Sequence, residues 1–295
     1  MICTLLSRVG VQNFDVVLDA RRDSLGPLVL SIDGGAGWGA TAEKIAERTA
    51  NDGLVYAFEP FPGNHRFFKN QDSRIKLVKA AISDHAGHSR FCIPKVVTEG
   101  DDWGARGFVG YSSLGHIESF GESVRRRLKS LYRTRRPNQS RAEYISVETV
   151  RIDGILQPEN INFVKLDLQG GEFLALQGMG DLLNRTEMLW IEFSDQKSVT
   201  KKLLQTGFIL FDTNYLCINT SRQQLKELGL EPVRETVLST STPALFAKRV
   251  IDVDDYSRWF RNARKSGVVQ TDLLAVNQKF LEQFLSILCR LQTML

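Results

Sequence analysis

Two acids and a cluster of glycines carry most of the recognisable chemistry of this chain. The run Leu28-Val-Leu-Ser-Ile-Asp33 ends in an acid and opens directly into Gly34, Gly35, Gly37 and Gly39. A second apolar run, Val55-Tyr-Ala-Phe58, ends in Glu59, roughly 20 residues after the glycines. Glycine lets the backbone turn sharply and approach a ligand with no side chain between them. A helix opening near Ala40 offers unpaired amides to a carboxylate or phosphate. Glu59 is placed to accept hydrogen bonds from both hydroxyls of a ribose. This is the layout of a nucleotide-cofactor site at the carboxyl edge of a parallel sheet.

Two cofactors fit that layout. Gly35-Ala-Gly37-Trp-Gly-Ala40 satisfies the G-x-G-x-x-A pattern of nicotinamide sites. Asp33 tilts the choice the other way, because a carboxylate beside the glycines repels a pyrophosphate and attracts an ammonium or sulfonium. The residues therefore favour S-adenosylmethionine, contacted by Asp33, Gly35, Ala36, Gly37, Gly39 and Glu59. A turn that merely joins strand to helix explains the glycines but not both acids. Pro60 stiffens the chain after Glu59. Phe61 lies against the adenine or packs on the core as a helix-start residue. Ala81 and Ile82, ending a third strand, are expected to meet the adenine through backbone and apolar contact.

The elements that must hold these residues alternate along the chain. Strand-length apolar runs fall at Leu28–Asp33, Leu54–Phe58, Lys76–Ile82, Asn162–Leu168, Met188–Phe193, Phe208–Phe211 and Ala244–Lys248. They are nearly continuous, as in strands buried on both faces. Helical segments fall between them at Ala40–Thr49, Pro62–Asn70, Phe173–Gly178 and Ser198–Thr206. Such alternation predicts a doubly wound α/β sheet. The pattern breaks between Ile93 and Tyr144, where Ser89–Ile93 and Tyr144–Val150 are expected to pair as a hairpin supporting an insert over about 95–145. An interruption that long reads as a lid or a substrate-selecting element. Past Lys248 the chain reads as helical, with a basic, aromatic Tyr256–Lys265. Leu274, Leu281, Phe284, Leu288, Leu291 and Leu295 then make one apolar stripe. The expected organisation is a catalytic domain over 1–250 and a helical extension over 251–295, its stripe packing on its own domain or forming a homodimer helix.

Bulk properties exclude several classes. At 42% hydrophobic and 24% charged, the 295 residues are those of an ordinary soluble globular protein. No apolar run reaches the roughly 20 residues of a membrane span, and the N-terminus lacks the pattern of a signal peptide. Cys3, Cys92, Cys217 and Cys289 are far apart and form no C-x-x-C pair, which disfavours zinc and a disulfide framework and fits a reducing cytoplasm. A net charge of +4 does not by itself imply nucleic acid. It is unevenly spread: Arg125 to Arg141 holds eight Lys or Arg residues and no acid, with Tyr132 the only aromatic. That run is a solvated face or an attraction for an anionic small-molecule or glycan acceptor. Aromatic interleaving is too sparse for nucleic acid.

Taken in order, several motifs resemble the FkbM-type methyltransferases. They are Asp33-x-Gly35-Ala36-x-x-Gly39, Ala57-Phe58-Glu59-Pro60, Ala80-Ala81-Ile82-Ser83-Asp84-x-x-Gly87 and Lys165-Leu-Asp167-Leu-Gln-Gly170-Gly-Glu172, with Gly178 and Glu192 beyond. The resemblance covers about Leu28 to Ser194. It implies a class I, Rossmann-like methyltransferase fold: a seven-stranded sheet whose last strand is antiparallel. It also implies S-adenosylmethionine as cofactor, and O-methylation of hydroxyls on sugars or natural products. The chain departs from the pattern at Gly37, where the family often has Asn, and at Gln169, where it often has an acid. The C-terminal extension lies outside the common pattern.

In that fold Asp167 ends the strand beside the first, Glu192 ends the next one, and the two project into one crevice. Three readings compete. Asp167 orients and deprotonates the acceptor hydroxyl. Alternatively, Asp167 and Glu192 hold a divalent cation that acidifies it. The third reading is structural, with Glu172 capping its helix and Glu192 bonding backbone amides. His116, in the insert, is a second candidate base or an exposed loop residue. His65, on the helix after Glu59, reads as a surface residue.

Overall fold

The computed structural model describes residues 14–94, 113–114, 142–193, 196–218, 241–250, 252–265, 268–283 and 286. Strand β1 (Leu28–Gly34) lies at the centre, parallel to β2 (Thr49–Phe58) on one side and to β8 (Ile161–Leu166) on the other. β3 (Ile75–Val78) continues the parallel run beyond β2, and β9 (Thr186–Phe193) continues it beyond β8. β10 (Phe208–Ile218), β11 (Ser241–Val250) and β12 (Val268–Asn277) complete the order β11-β10-β12-β9-β8-β1-β2-β3. β12 is the last strand and runs antiparallel between β9 and β10. The class I methyltransferase arrangement is therefore present, with β11 as an additional edge strand.

Nearly continuous apolar strands are needed because helices cover both faces. Along β9, Met188 and Trp190 enter one core, while Leu189, Ile191 and Phe193 enter the other. β12 splits the same way, with Leu274 and Val276 on one face and Leu273 and Ala275 on the other. Helices α1 (Phe14–Leu25) and α2 (Ala40–Ala46) cover the first face. On that face Phe14 stands edge-on to Phe163 and Trp190, with ring centroids 5.5 Å from each. The short α3 (Ile152–Ile155), α4 (Glu172–Gly178), α5 (Lys197–Gln205) and α6 (Val253–Lys265) cover the second face. No helix among the described residues is long and apolar enough to cross a membrane.

Three sequence expectations are corrected. The run Lys76–Ile82 is not one strand: β3 stops at Val78, and β4 (Ala81–Ile82) pairs with β7 (Ala142–Val150) in a second sheet. That sheet contains the expected hairpin, β5 (Gly87–Pro94) against β7, with β6 (Ser113–Leu114) at its edge. Second, Pro62–Phe68 is a 3₁₀ turn rather than an α-helix. Third, the C-terminal segment is not wholly helical. Leu273, Leu274, Ala275 and Val276 are fully buried in succession, which a strand buried on both faces allows and one helix stripe does not. The expected boundary at residue 250 thus cuts through the sheet, since β12 lies beyond it. Ala244–Lys248 sits in the edge strand β11 instead of closing the sheet. The proposed dimer stripe loses its first member, because Leu274 faces the core. Leu281 packs against that same core, and Phe284, Leu288, Leu291 and Leu295 lie outside the described residues.

Candidate active site

The glycine corner is built by backbone. Gly35 and Ala36 each donate an amide bond of 3.1 Å to the Phe58 carbonyl, tying the turn after β1 to the end of β2. Gly35 has φ +74°, and a Cβ there would collide with the Asp167 carbonyl oxygen, so only glycine fits. Gly39 has φ +89°, and the Gln71 amide fills the space a Cβ would take. Gln71 also donates to the Trp38 carbonyl at 3.2 Å, leaving the Trp38 side chain 44% exposed at the rim.

Glu59 closes this corner. One carboxylate oxygen accepts the Gly37 amide at 2.7 Å and the other accepts the Phe61 amide at 2.8 Å. A carboxylate offers about four acceptor positions, so these two amides and the nearby Asn64 side chain leave capacity for a ribose hydroxyl. Burial pushes the Glu59 carboxyl up to about 7, against the pull of those amide bonds. His65 is not a bystander on the surface: its ring Nε2 lies 2.8 Å from the Glu59 carbonyl oxygen. Pro60 is buried. Phe61 packs with Ala81, Phe91 and Val147 in the small core of the second sheet. Ile82 is 1% exposed, and its side chain abuts Gly34 in the main core. The side chains of Ala81 and Ile82 are thus engaged in packing.

The neighbouring half is built by side chains. Asp33 and Lys165 are cross-strand partners on β1 and β8, so both project from one face. The Lys165 Nζ lies 3.4 Å from Asp33 Oδ1, 3.6 Å from Asp167 Oδ2 and 3.2 Å from the Gly35 carbonyl oxygen. Asp33 is fully buried and held by this ion pair. Burial pushes the Asp33 carboxyl up while Lys165 pulls it down. For Lys165 burial disfavours the charge, but Asp33 and Asp167 outweigh it and hold the ammonium above the ordinary lysine range.

Asp167 and Glu192 come together as expected, bridged by a residue that sequence reasoning noted only as a departure. The Gln169 Nε2 donates to Asp167 Oδ1 and to Glu192 Oε2, both at 2.8 Å. Gln169 has φ 52°, the one left-handed non-glycine residue among those described. Such strain is held in place only by its surroundings. Burial, then the charges of Asp167 and Glu172, push the Glu192 carboxyl well above its ordinary range. For Asp167 burial raises the carboxyl, but Lys165, Glu192 and Gln169 together bring it below the usual range. An N–H donor thus stands between the two carboxylates, where a shared cation would have to sit. Among the described residues no group of three or more His, Cys, Asp or Glu is arranged to hold a metal. Glu172 takes the structural role: buried, it accepts the Leu168 amide at 2.8 Å, the Gly170 amide at 3.0 Å and Gln196 Nε2 at 2.8 Å. His116 and the basic run from Arg125 to Arg141 lie outside the described residues.

With this geometry in view, the deciding observation comes from sequence comparison. The model of the methyltransferase FkbM domain matches residues 21–215, from α1 into β10. This chain belongs to the FkbM methyltransferase family. Membership makes it a methyltransferase and implies S-adenosylmethionine as the methyl donor. It leaves the nicotinamide reading of the glycine corner without support. No curated protein matches the chain. Among solved structures it is similar to the methyltransferase FkbM of Methylobacillus flagellatus KT, at 14% identity and TM-score 0.37, covering 75% of this chain but only 43% of that one. It is also similar to the precorrin-6y C5,15-methyltransferase of Geobacter metallireducens GS-15, at 10% identity and TM-score 0.36, covering 89% and 87%. A third is the fibrillarin of Aeropyrum pernix, solved with natively bound S-adenosyl-L-methionine, at 10% identity and TM-score 0.29, covering 75% and 67%.

The residues of this FkbM-family chain fit that cofactor. Glu59 has acceptor capacity for a ribose, and the buried Asp33, paired with Lys165, places a carboxylate under the glycine turn.

Proposed function

We propose that this methyltransferase acts on a hydroxyl of a sugar or natural-product acceptor, with its cofactor at the β1–β2 corner and its acceptor before β8 and β9. The observation that carries this reading is the contact of two differently built halves. Gly35 of the cofactor corner abuts Asp167 of the acid pair, and Lys165 bonds to both. When bound, S-adenosylmethionine supplies an already electrophilic methyl group, so the chain has chiefly to align two reactants. Glu59 holds the ribose and fixes one of them. Asp167 is 42% exposed and stands at the crevice. Its carboxylate orients the acceptor hydroxyl and receives its proton. His116, in the insert, is the alternative base.

The insert leaves from β5 and returns to β7, whose sheet shares a small core with Phe61. That root supports its reading as an element over the acceptor. Its basic run favours an anionic acceptor, such as a phosphorylated or nucleotide-linked sugar. Labelled-methyl transfer to a panel of phosphorylated sugars, neutral sugars and amines tests this. Hydroxyl methylation is expected, with Asp167→Asn lowering kcat by about 10²- to 10⁴-fold. Turnover of amines alone would refute O-methylation. Full activity in Asp167→Asn would move the base elsewhere. Arg125, Arg126 and Arg127 changed to Ala are expected to raise the acceptor KM in a salt-sensitive way; an unchanged KM at low salt would remove their role.

A further inference from the structure

The segment after Glu59 folds back and holds that residue at both ends. Pro62 and Gly63 open the 3₁₀ turn, and a Cβ at Gly63 would strike the Phe61 ring, so glycine lets the two lie together. The Asn64 backbone amide then donates to the Phe61 carbonyl at 3.0 Å. This reversal brings two successive side chains onto Glu59. His65 takes the backbone end, with Nε2 2.8 Å from the Glu59 carbonyl oxygen; a carbonyl only accepts, so that nitrogen carries the hydrogen. Asn64 takes the other end. It is 3% exposed, its Nδ2 has no completed hydrogen bond, and its side chain bears on the Glu59 carboxylate. A buried N–H without an acceptor is costly, and the carboxylate beside this one is the acceptor at hand. Other groups also act on the Glu59 charge. The Gly37 and Phe61 amides favour it, whereas burial and the Asp33 carboxylate on β1, itself paired with Lys165 on β8, oppose it.

We propose, on the reading that S-adenosylmethionine binds at this corner, that Asn64 is a positioning residue of the cofactor site: its side-chain amide steers the Glu59 carboxylate toward the ribose and favours its ionised form. Asn64 touches no reacting atom and acts through Glu59. The Gly37 and Phe61 amides take one acceptor position on each carboxylate oxygen. Asn64 takes a third, which leaves the remaining side of the carboxylate for a ribose hydroxyl. An N–H bonded to a carboxylate is stronger than one bonded to a neutral carboxyl. The amide therefore stabilises the charged form against burial and lowers the pH at which Glu59 becomes ready to accept from the ribose. His65 meets the backbone of Glu59 instead, where no charge titrates, so the two neighbours have separable roles.

The readout is the pH profile of cofactor affinity. S-adenosylhomocysteine, the demethylated cofactor, is the probe, because it keeps the ribose and has no methyl to lose. Calorimetric titration of the full chain from about pH 6 to about pH 9 compares the wild type with Asn64→Leu, a side chain of similar size without a donor. In the wild type affinity falls below about pH 7. In Asn64→Leu the fall should begin about one to two pH units higher, leaving affinity about tenfold weaker at pH 7 and largely recovered near pH 9. Carboxyl carbon-13 NMR of the ligand-free chain, with Glu59 assigned by its loss in Glu59→Gln, should show the Glu59 midpoint moving by the same amount. Asn64→Ser restores a shorter donor and should place both midpoints between those of the wild type and Asn64→Leu; it carries the test if the leucine variant does not fold. Uniform weakening at every pH, with the Glu59 midpoint unmoved, would reduce Asn64 to a structural role and overturn the proposal. So would an unchanged profile, or a shift in affinity that the Glu59 midpoint does not follow. Failure of the wild type to bind the probe at any pH would overturn the cofactor reading, and the proposal with it.

Discussion

The two halves of the carboxyl edge meet at Gly35 and Asp167 yet are made in different ways. The cofactor corner is a backbone construction: glycine conformations, amide bonds to Phe58, and one carboxylate closing the turn. The acid side is a side-chain construction drawn from positions far apart in sequence: Asp33, Lys165, Asp167, Gln169 and Glu192, on or just past β1, β8 and β9. A backbone device fails when shape is wrong, whereas a charge network fails when one partner is missing. The halves should therefore break under different substitutions.

The largest effect is expected on the acid side. Lys165→Met strands a fully buried Asp33 charge, and loss of one partner of a buried pair costs about 3–5 kcal/mol. Adding Asp33→Asn should restore most of that stability in denaturant unfolding. No recovery in the double variant would show that the pair is not the coupling. Next comes the cofactor corner. Gly35→Ala forces a side chain into a left-handed position against the Asp167 carbonyl, at a cost on the order of 3 kcal/mol, and should abolish cofactor binding. A variant of wild-type stability and affinity would mean that the turn is not rigid.

Glu59 separates the halves by pH. Its folded value of about 7 lies above the ordinary 4.5, so between these values the folded chain holds more proton than the unfolded one. Stability attributable to Glu59 therefore falls as pH rises through that window. Ribose hydroxyls donate best to the ionised form. Cofactor affinity should thus weaken about tenfold per pH unit below about 7, and a flat profile in calorimetry would remove Glu59 from that role. The smallest effect belongs to Gln169→Ala, which should cost about 1 kcal/mol in unfolding. Its signature is a lowered kcat at nearly constant cofactor affinity.

This difference in construction also sets what the sequence could reveal. The cofactor corner was legible because glycines and strand-end acids act through local backbone, and their spacing survives in one dimension. Asp167 and Glu192 were legible as strand ends once the strand order was supposed. Lys165 was seen only as part of a motif, because its function depends on lying opposite Asp33, a register that the chain order does not state. Gln169 was noted as a departure, and its left-handed backbone gives no sequence signal when the residue is not glycine. In the fold, β12 was hidden because Leu274 and Leu281 happen to fall at a helical spacing. The four successive buried positions Leu273–Val276 were the better signal, and they read as a strand. The break between β3 and β4 was hidden within one run, because both pieces carry apolar residues and only their strand partners differ.

The most direct test of the central claim is calorimetric titration of the chain and of Glu59→Ala with S-adenosylmethionine, its demethylated product and NAD(H). The expected result is binding of the first two by the wild type, lost or weakened by about 100-fold or more in the variant, as befits removal of a buried charged acceptor worth roughly 3 kcal/mol. Binding of NAD(H) alone, or S-adenosylmethionine binding that ignores Glu59, would contradict the assignment of this corner.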